Sequence, residues 1–216
     1  MNMNKSIFSA VFVAVLFSLM TCTCITVACA AEKAAVPSAT TRDNLITACK
    51  GEQNAHARYM AFANKANEEG YDAAASLFKA AALAEKIHYE RHAKIIKKLG
   101  GTPVTVIETL VVKSTPENIK AAFAAETYEK DIMYPAFLKQ AERDNIKDAV
   151  EAFEDARAAE GSHAKLYGGM LKNLDLSKGL AKDFYVCPVC GNVVDAITSS
   201  KCPICFTETK KFVKVK

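Results

Sequence analysis

Glu52, Glu85-Lys86-Ile87-His88, Glu126-Thr127-Tyr128-Glu129 and Glu160-Gly161-Ser162-His163 decide how this chain folds. Each lies in a stretch with helical patterning, and a spacing of three puts both members of a pair on one helix face. The chain has only four histidines, and two of them stand three residues after a glutamate. His56 and His92 follow Gln53 and Tyr89 at that spacing and lack the signature.

The register of these groups points to one layer. Glu52 to Gly70 is 18 residues and Gly70 to Glu85 is 15; Glu126 to Asn145 is 19 and Asn145 to Glu160 again 15. At about 1.5 Å per residue, each antiparallel pair climbs and descends nearly equal heights, the excess being what a turn consumes. The halves read as a degenerate repeat, Glu plus Glu-x-x-His and then Glu-x-x-Glu plus Glu-x-x-His. Carboxylates with imidazoles suit iron or manganese, whereas thiolates favour zinc or copper. Five carboxylates in a bundle core repel one another and resist desolvation unless cations neutralise them. A pair of divalent ions does so. Surface ion pairing uses the same residue types but gives no reason for four helices in register. This is the ligand pattern of the ferritin-like di-metal bundles.

Residues 1–30 carry a single charge, Lys5, then an apolar run from Ile7 to Met20 and the A-x-A pattern Ala28-Cys29-Ala30. That reads as a secretory signal peptide and predicts an exported, periplasmic protein. Its removal takes one lysine and no acid from a net charge of +4, leaving +3. The uncharged span Ile7 to Ala31 is also long enough to serve as an uncleaved membrane anchor.

Cys22, Cys24 and Cys29 of the eight cysteines fall in that leader, and Cys49 stands alone on the first helix as a small apolar residue. The other four form Cys187-Pro188-Val189-Cys190-Gly191 and Cys202-Pro203-Ile204-Cys205, with 11 residues between the pairs. Two such hairpins make a four-thiolate tetrahedral site, and zinc ribbons use the same set. So small a segment cannot fold on its apolar core, and the metal supplies the stability.

The chain therefore divides into a signal peptide (1–30), a tether (31–42), a bundle (43–173), a linker (174–183) and a metal-stabilised module (184–216). Predicted helices run from near Asp43 to Gly70, Asp72 to Leu99, Thr115 to Arg143 and Lys147 to Asn173. Asp43 reads as the first cap, and Thr115-Pro116-Glu117 as cap, N1 proline and early acid. Thr102 to Ser114 is apolar and β-branched, an extended crossover strap. Pro135 predicts a kink roughly two turns past Glu129. The fold class is all-α, a four-helix bundle with a long crossover plus a small C-terminal β module.

Glu52-Gln53-Asn54-Ala55, Glu85-Lys86-Ile87-His88, Met133-Tyr134-Pro135 and the two Cys-Pro-x-Cys hairpins together resemble rubrerythrin, from Asp43 to the C-terminus. The resemblance implies a ferritin-like di-iron bundle joined to a rubredoxin-like module with one four-cysteine iron. It implies that Glu85 and Glu160 bridge the irons, that Glu52 and Glu126 are terminal ligands, and that His163 holds one iron. His88 and Glu129 would exchange on the other, and Tyr59 and Tyr134 would stand beside the site. It further implies reduction of hydrogen peroxide to water, an electron-donor protein or reductase, and a head-to-tail homo-oligomer in which each module serves a neighbour. Two departures stand out. Phe206 occupies the place after the fourth cysteine where the family has glycine, a place that favours positive φ. The leader is the other, the family being more often cytoplasmic. Ferritin-like ferroxidase or iron handling, and a zinc-ribbon interaction protein, are the competing readings. No feature points to nucleic acid. The lysine-rich tail suits either an acidic donor or plain solvation.

Overall fold

The computed structural model describes residues 39–104 and 106–216. The predicted leader, its cleavage site and most of the tether lie outside the described residues. Among the described residues no helix is long and apolar enough to cross a membrane.

Helix α1 (Thr41–Glu68) and α2 (Asp72–Lys98) form the first antiparallel pair. α3 (Thr115–Tyr128), a π-helical turn (Glu129–Met133) and α4 (Tyr134–Arg143) form one continuous limb against α5 (Lys147–Lys172). The two turning points are the left-handed residues Gly70, φ 75°, and Asn145, φ 53°, as the register requires.

Both capping boxes sit upstream of where the sequence placed them. Thr40 caps α1 and Asp43, at N3, returns the bond. Ser114, rather than Thr115, caps α3, with Glu117 answering it. Pro135 also acts earlier than expected. It has no N–H to give, and its ring crowds the carbonyl four residues back. The helix absorbs this by widening into the π turn, where Tyr134 N–H reaches Glu129 O, so the distortion begins at Glu129 itself.

The described residues of the strap, 102–104 and 106–113, form no helix or strand, and Asn54 holds its middle. Asn54 Nδ2 donates to Val106 O at 2.9 Å, and Glu108 N–H donates to Asn54 Oδ1 at 2.7 Å. Lys50 adds an ion pair to Glu108 at 2.8 Å.

The core has two halves. One gathers Tyr59, Phe62, Leu77, Phe78, Ile119 and Tyr167; the other gathers Leu45, Ile96, Tyr134, Leu138 and Phe153. On every helical limb the acidic and imidazole residues stand between the two halves. Apolar walls on both sides keep water from that layer.

After a short 3₁₀ turn (Leu174–Ser177), the chain forms a three-stranded antiparallel sheet of β1 (Phe184–Val186), β2 (Val193–Val194) and β3 (Val213–Val215), ordered β2-β1-β3. The linker is not loose: Gly179 N–H bonds Gly70 O at 3.2 Å. Phe184, Val186 and Val193 complete the first half of the bundle core, so the module is seated on its own chain's bundle.

Candidate metal centres

Within the layer, ligand-type atoms of Glu52, Glu85, His88 and Glu160 lie within 4.8 Å of one another, and so do those of Glu85, Glu126, Glu160 and His163. Glu85 and Glu160 belong to both groups. Six of these seven sequence-predicted residues therefore come together as two overlapping four-ligand sets. The seventh, Glu129, is buried but belongs to neither. His56 is half-buried, and its Nδ1 donates to Ala82 O at 2.7 Å. His92 is fully buried one helical turn beyond His88.

The electrostatics suit cations. Burial, then Glu85 and Glu160, push the Glu52 carboxyl well above its ordinary range, and burial with Glu160 and Glu126 brings Glu85 up to about 7. Burial works against charge on His88 and His163, yet the surrounding carboxylates outweigh it and raise both. Glu160 is the exception: burial opposes its charge, but the two imidazoles hold it below the ordinary range. Glu52 Oε2, Glu85 Oε1 and both oxygens of Glu160 have no hydrogen-bond donor. His88 Nδ1 and His163 Nδ1 pair with Glu160 at 3.0 and 2.7 Å. Orphaned buried carboxylate oxygens cost several kcal/mol in sum unless something positive fills the space between them, at about 1–3 kcal/mol each. This donor set fits two iron ions.

The other imidazole nitrogens settle the tautomers. His88 Nε2 donates to Cys190 O at 3.0 Å and His163 Nε2 to Gly191 O at 3.1 Å. A carbonyl only accepts, so both Nε2 atoms carry hydrogen, and each Nδ1 can present a lone pair to the layer. In the metal-free chain a proton takes that place. Tyr59 donates to Glu126 Oε1 at 2.6 Å, and Tyr134 donates to Glu52 Oε1. Both tyrosines are thus tied to terminal carboxylates as well as packed in the core.

Cys187, Cys190, Cys202 and Cys205 converge in the module. Their Sγ atoms approach pairwise at 3.5 Å (Cys187–Cys205) and 3.6 Å (Cys190–Cys202). A tetrahedron with metal–sulfur bonds of about 2.3 Å has edges of roughly 3.8 Å, so the cluster is nearly metal-sized. The hydrogen bond from Cys190 brings the Cys187 thiol down to about 5, and the same bond with burial raises Cys190. The residues after the second and fourth cysteines are both left-handed, Gly191 at φ 74° and Phe206 at φ 61°. Phe206 thus meets the backbone demand that glycine meets in the first hairpin.

A rubrerythrin family model matches residues 43–171. The chain belongs to the rubrerythrin family. It is 36% identical over 182 residues to nigerythrin of Nitratidesulfovibrio vulgaris, covering 84% of this chain and 88% of that protein. It is 33% identical to rubrerythrin-2 of Clostridium acetobutylicum, covering 82% and 97%. The solved structure of fully reduced, all-ferrous nigerythrin superposes with a TM-score of 0.76 at 33% identity, over 85% of this chain and 91% of that one. A Desulfovibrio desulfuricans bacterioferritin, TM-score 0.56 at 24% identity, shares the bundle fold. This member of the rubrerythrin family combines a carboxylate/histidine di-iron site with a rubredoxin-like iron site.

Proposed function

We propose that the protein is a peroxidase that reduces hydrogen peroxide to water, H2O2 + 2 e⁻ + 2 H⁺ → 2 H2O, in oxidative-stress defence. When bound, the iron pair supplies the two electrons that cleave the O–O bond, and the four-cysteine iron returns them one at a time from a donor protein or reductase. The single observation that carries the reading is the contact of both layer histidines with the Cys190–Gly191 knuckle, at 3.0 and 3.1 Å. It leaves only the bonds of Cys190 and one hydrogen bond between a thiolate and a ligand of the other centre. A storage or ferroxidase bundle needs no such module, and a zinc-ribbon interaction protein needs no such contact.

The residues take distinct parts. Glu85 and Glu160, common to both sets, would serve both metal ions; Glu52 and Glu126 would each serve one; His88 and His163 would each offer Nδ1. Tyr59 and Tyr134 hold the terminal carboxylates by one oxygen. Burial and Glu52 raise the Glu129 carboxyl well above its ordinary range, and being outside both sets it can hold a proton for the departing oxygen. A head-to-tail oligomer would exchange the same knuckle contact between copies. We place the mature protein in the periplasm, beginning at Ala31; intact-mass analysis of cell fractions checks this, and a full-length, membrane-retained chain refutes it.

The test is single-turnover oxidation of chemically reduced protein. Peroxide should oxidise it much faster than dioxygen does, and steady consumption of peroxide should require the thiolate centre. Equal rates with both oxidants would return the ferroxidase reading.

A further inference from the structure

His92 belongs to neither ligand set, yet it is fully buried and its ring packs on Tyr134 and Phe153, with centroids 6.1 and 5.4 Å away. Its Nε2 lies 3.2 Å from the Tyr134 hydroxyl. That hydroxyl has a single proton, and it goes to Glu52 Oε1. The phenol oxygen can then only accept from His92, so Nε2 carries the hydrogen. Nδ1 is left as a bare acceptor, and it has no partner. A buried orphan of this kind is destabilising, and an aliphatic side chain of similar size would avoid it. Burial, with His88 and Arg91 nearby, brings the imidazole down to about 3, consistent with a neutral ring.

The other half of the repeat lacks this device. Tyr59 donates to Glu126 in the same way, but its ring packs against Phe62, Phe78, Tyr167 and the Arg58 guanidinium, and among the described residues no group donates to its hydroxyl. The near-symmetric layer is therefore asymmetric one residue further out. On the Glu52 side, Oε1 is engaged and Oε2 has no partner, so the oxygen left for a metal is fixed.

We propose that His92 is a positioning residue which, through the chain His92 Nε2–H to Tyr134 O–H to Glu52 Oε1, orients Glu52 Oε2 toward the metal and makes the two metal positions inequivalent. The inference rests on the di-iron reading of the layer. A hydrogen bond donated to the phenol oxygen also polarises its O–H, strengthening the bond to Glu52. Loss of such a support typically weakens metal binding about 10- to 100-fold.

The experiment is Mn²⁺ binding to the full chain, with the thiolate site filled by zinc, followed by the EPR signal of free Mn²⁺. Wild type should bind two ions per chain. His92→Leu should weaken one of them by about tenfold and spare the other, and His92→Gln, which keeps an N–H near the Nε2 position, should restore it. Tyr134→Phe should give the same loss, and Tyr134→Phe with His92→Leu no more than either alone. Unchanged affinities in folded His92→Leu would overturn the proposal and leave His92 a core aromatic. A wild type that binds no Mn²⁺ would instead overturn the di-iron reading. Should His92→Leu not fold, ¹⁵N NMR of the zinc-loaded wild type decides. Hydrogen on Nε2 with bare Nδ1 is expected, and hydrogen on Nδ1 refutes the chain.

Discussion

A Cβ placed on Gly191 would lie 2.4 Å from His88 Nε2, so the first cysteine hairpin can seat on the ligand layer only because this residue has no side chain. Its counterpart in the second hairpin, Phe206, is 71% exposed and touches nothing comparable. Gly191 therefore answers to two demands, a left-handed backbone and a close approach, and Phe206 to the first alone.

Gly191→Ala should push the knuckle off His88 and slow electron delivery by at least tenfold, while the thiolate spectrum and the single oxidation by peroxide persist. Phe206→Gly should leave electron delivery unchanged and relieve left-handed strain of about 1 kcal/mol. Stopped-flow reduction kinetics with a donor protein checks the first; chemical unfolding checks the second. Equal rates for Gly191→Ala and wild type would dismiss the contact as an electron route.

Glu160→Ala should lose most of the layer's iron, since Glu160 faces both imidazoles and belongs to both ligand sets. His56→Ala should keep it. Loss of the His56 bond to Ala82 O should cost about 1 kcal/mol of stability, typical of one hydrogen bond. Iron per chain, corrected for the four-cysteine site, is the measurement. Similar iron in the two variants would show the ligand assignment to be wrong.

In the metal-free chain, Glu85 should contribute stability on the acid side of neutrality. Burial with Glu160 and Glu126 raises Glu85 from 4.5 to about 7, so its folded form binds a proton that its unfolded form releases. That contribution is present in full below about pH 4.5 and is lost as pH rises through 7. A shift of that size corresponds to about 3 kcal/mol. Glu52, Glu126 and Glu129 are raised too and act with the same sign. Glu160 is lowered, so its contribution fades only in acid, outside this window. His92, brought down to about 3, and Cys187, brought down to about 5, act with the opposite sign between pH 5 and 8, so the Glu85 contribution is read as a difference between two proteins. In urea unfolding of metal-free protein, the stability of wild type relative to Glu85→Gln should fall from pH 5 to 8. A difference that stays constant or rises over that range would contradict the raised Glu85 carboxyl.

The layer was legible because helical rise is constant: 18 residues up and 15 down fix Glu52 opposite Glu85 whatever packs around them. Cap positions were less so, since Thr40 and Asp43 are both competent and only geometry chooses between them. Pro135 announces a distortion but not where the helix absorbs it, and the π turn at Glu129 depends on packing against α5. The left-handed backbone at residue 206 followed from the hairpin pattern. The seating of Cys190 and Gly191 on two histidines could not be read, because it joins residues 102 and 28 positions apart through faces whose pairing only the tertiary fold decides. His92 escaped because it has no glutamate three residues before it. Its place four residues after His88, one turn along the same face, was the available signal.

Cys202→Ser should separate the chemistry from the electron supply. Cys202 is fully buried in the thiolate cluster, and a neutral hydroxyl is a poor substitute for thiolate, so that site should lose or weaken its metal. The glutamate/histidine layer stands between two apolar half-cores that Cys202 does not enter, so it should still assemble. The reduced variant should then be oxidised by peroxide once, at near the wild-type rate, and steady turnover through a protein donor should fall by a hundredfold or more. Some loosening of the seat is expected as well, because the hairpin that carries Cys190 is held by the same metal. Gly191→Ala, with its thiolate site intact, isolates that effect. A Cys202→Ser chain that turns over fully would remove the relay role from the module and leave its four cysteines as a structural zinc site.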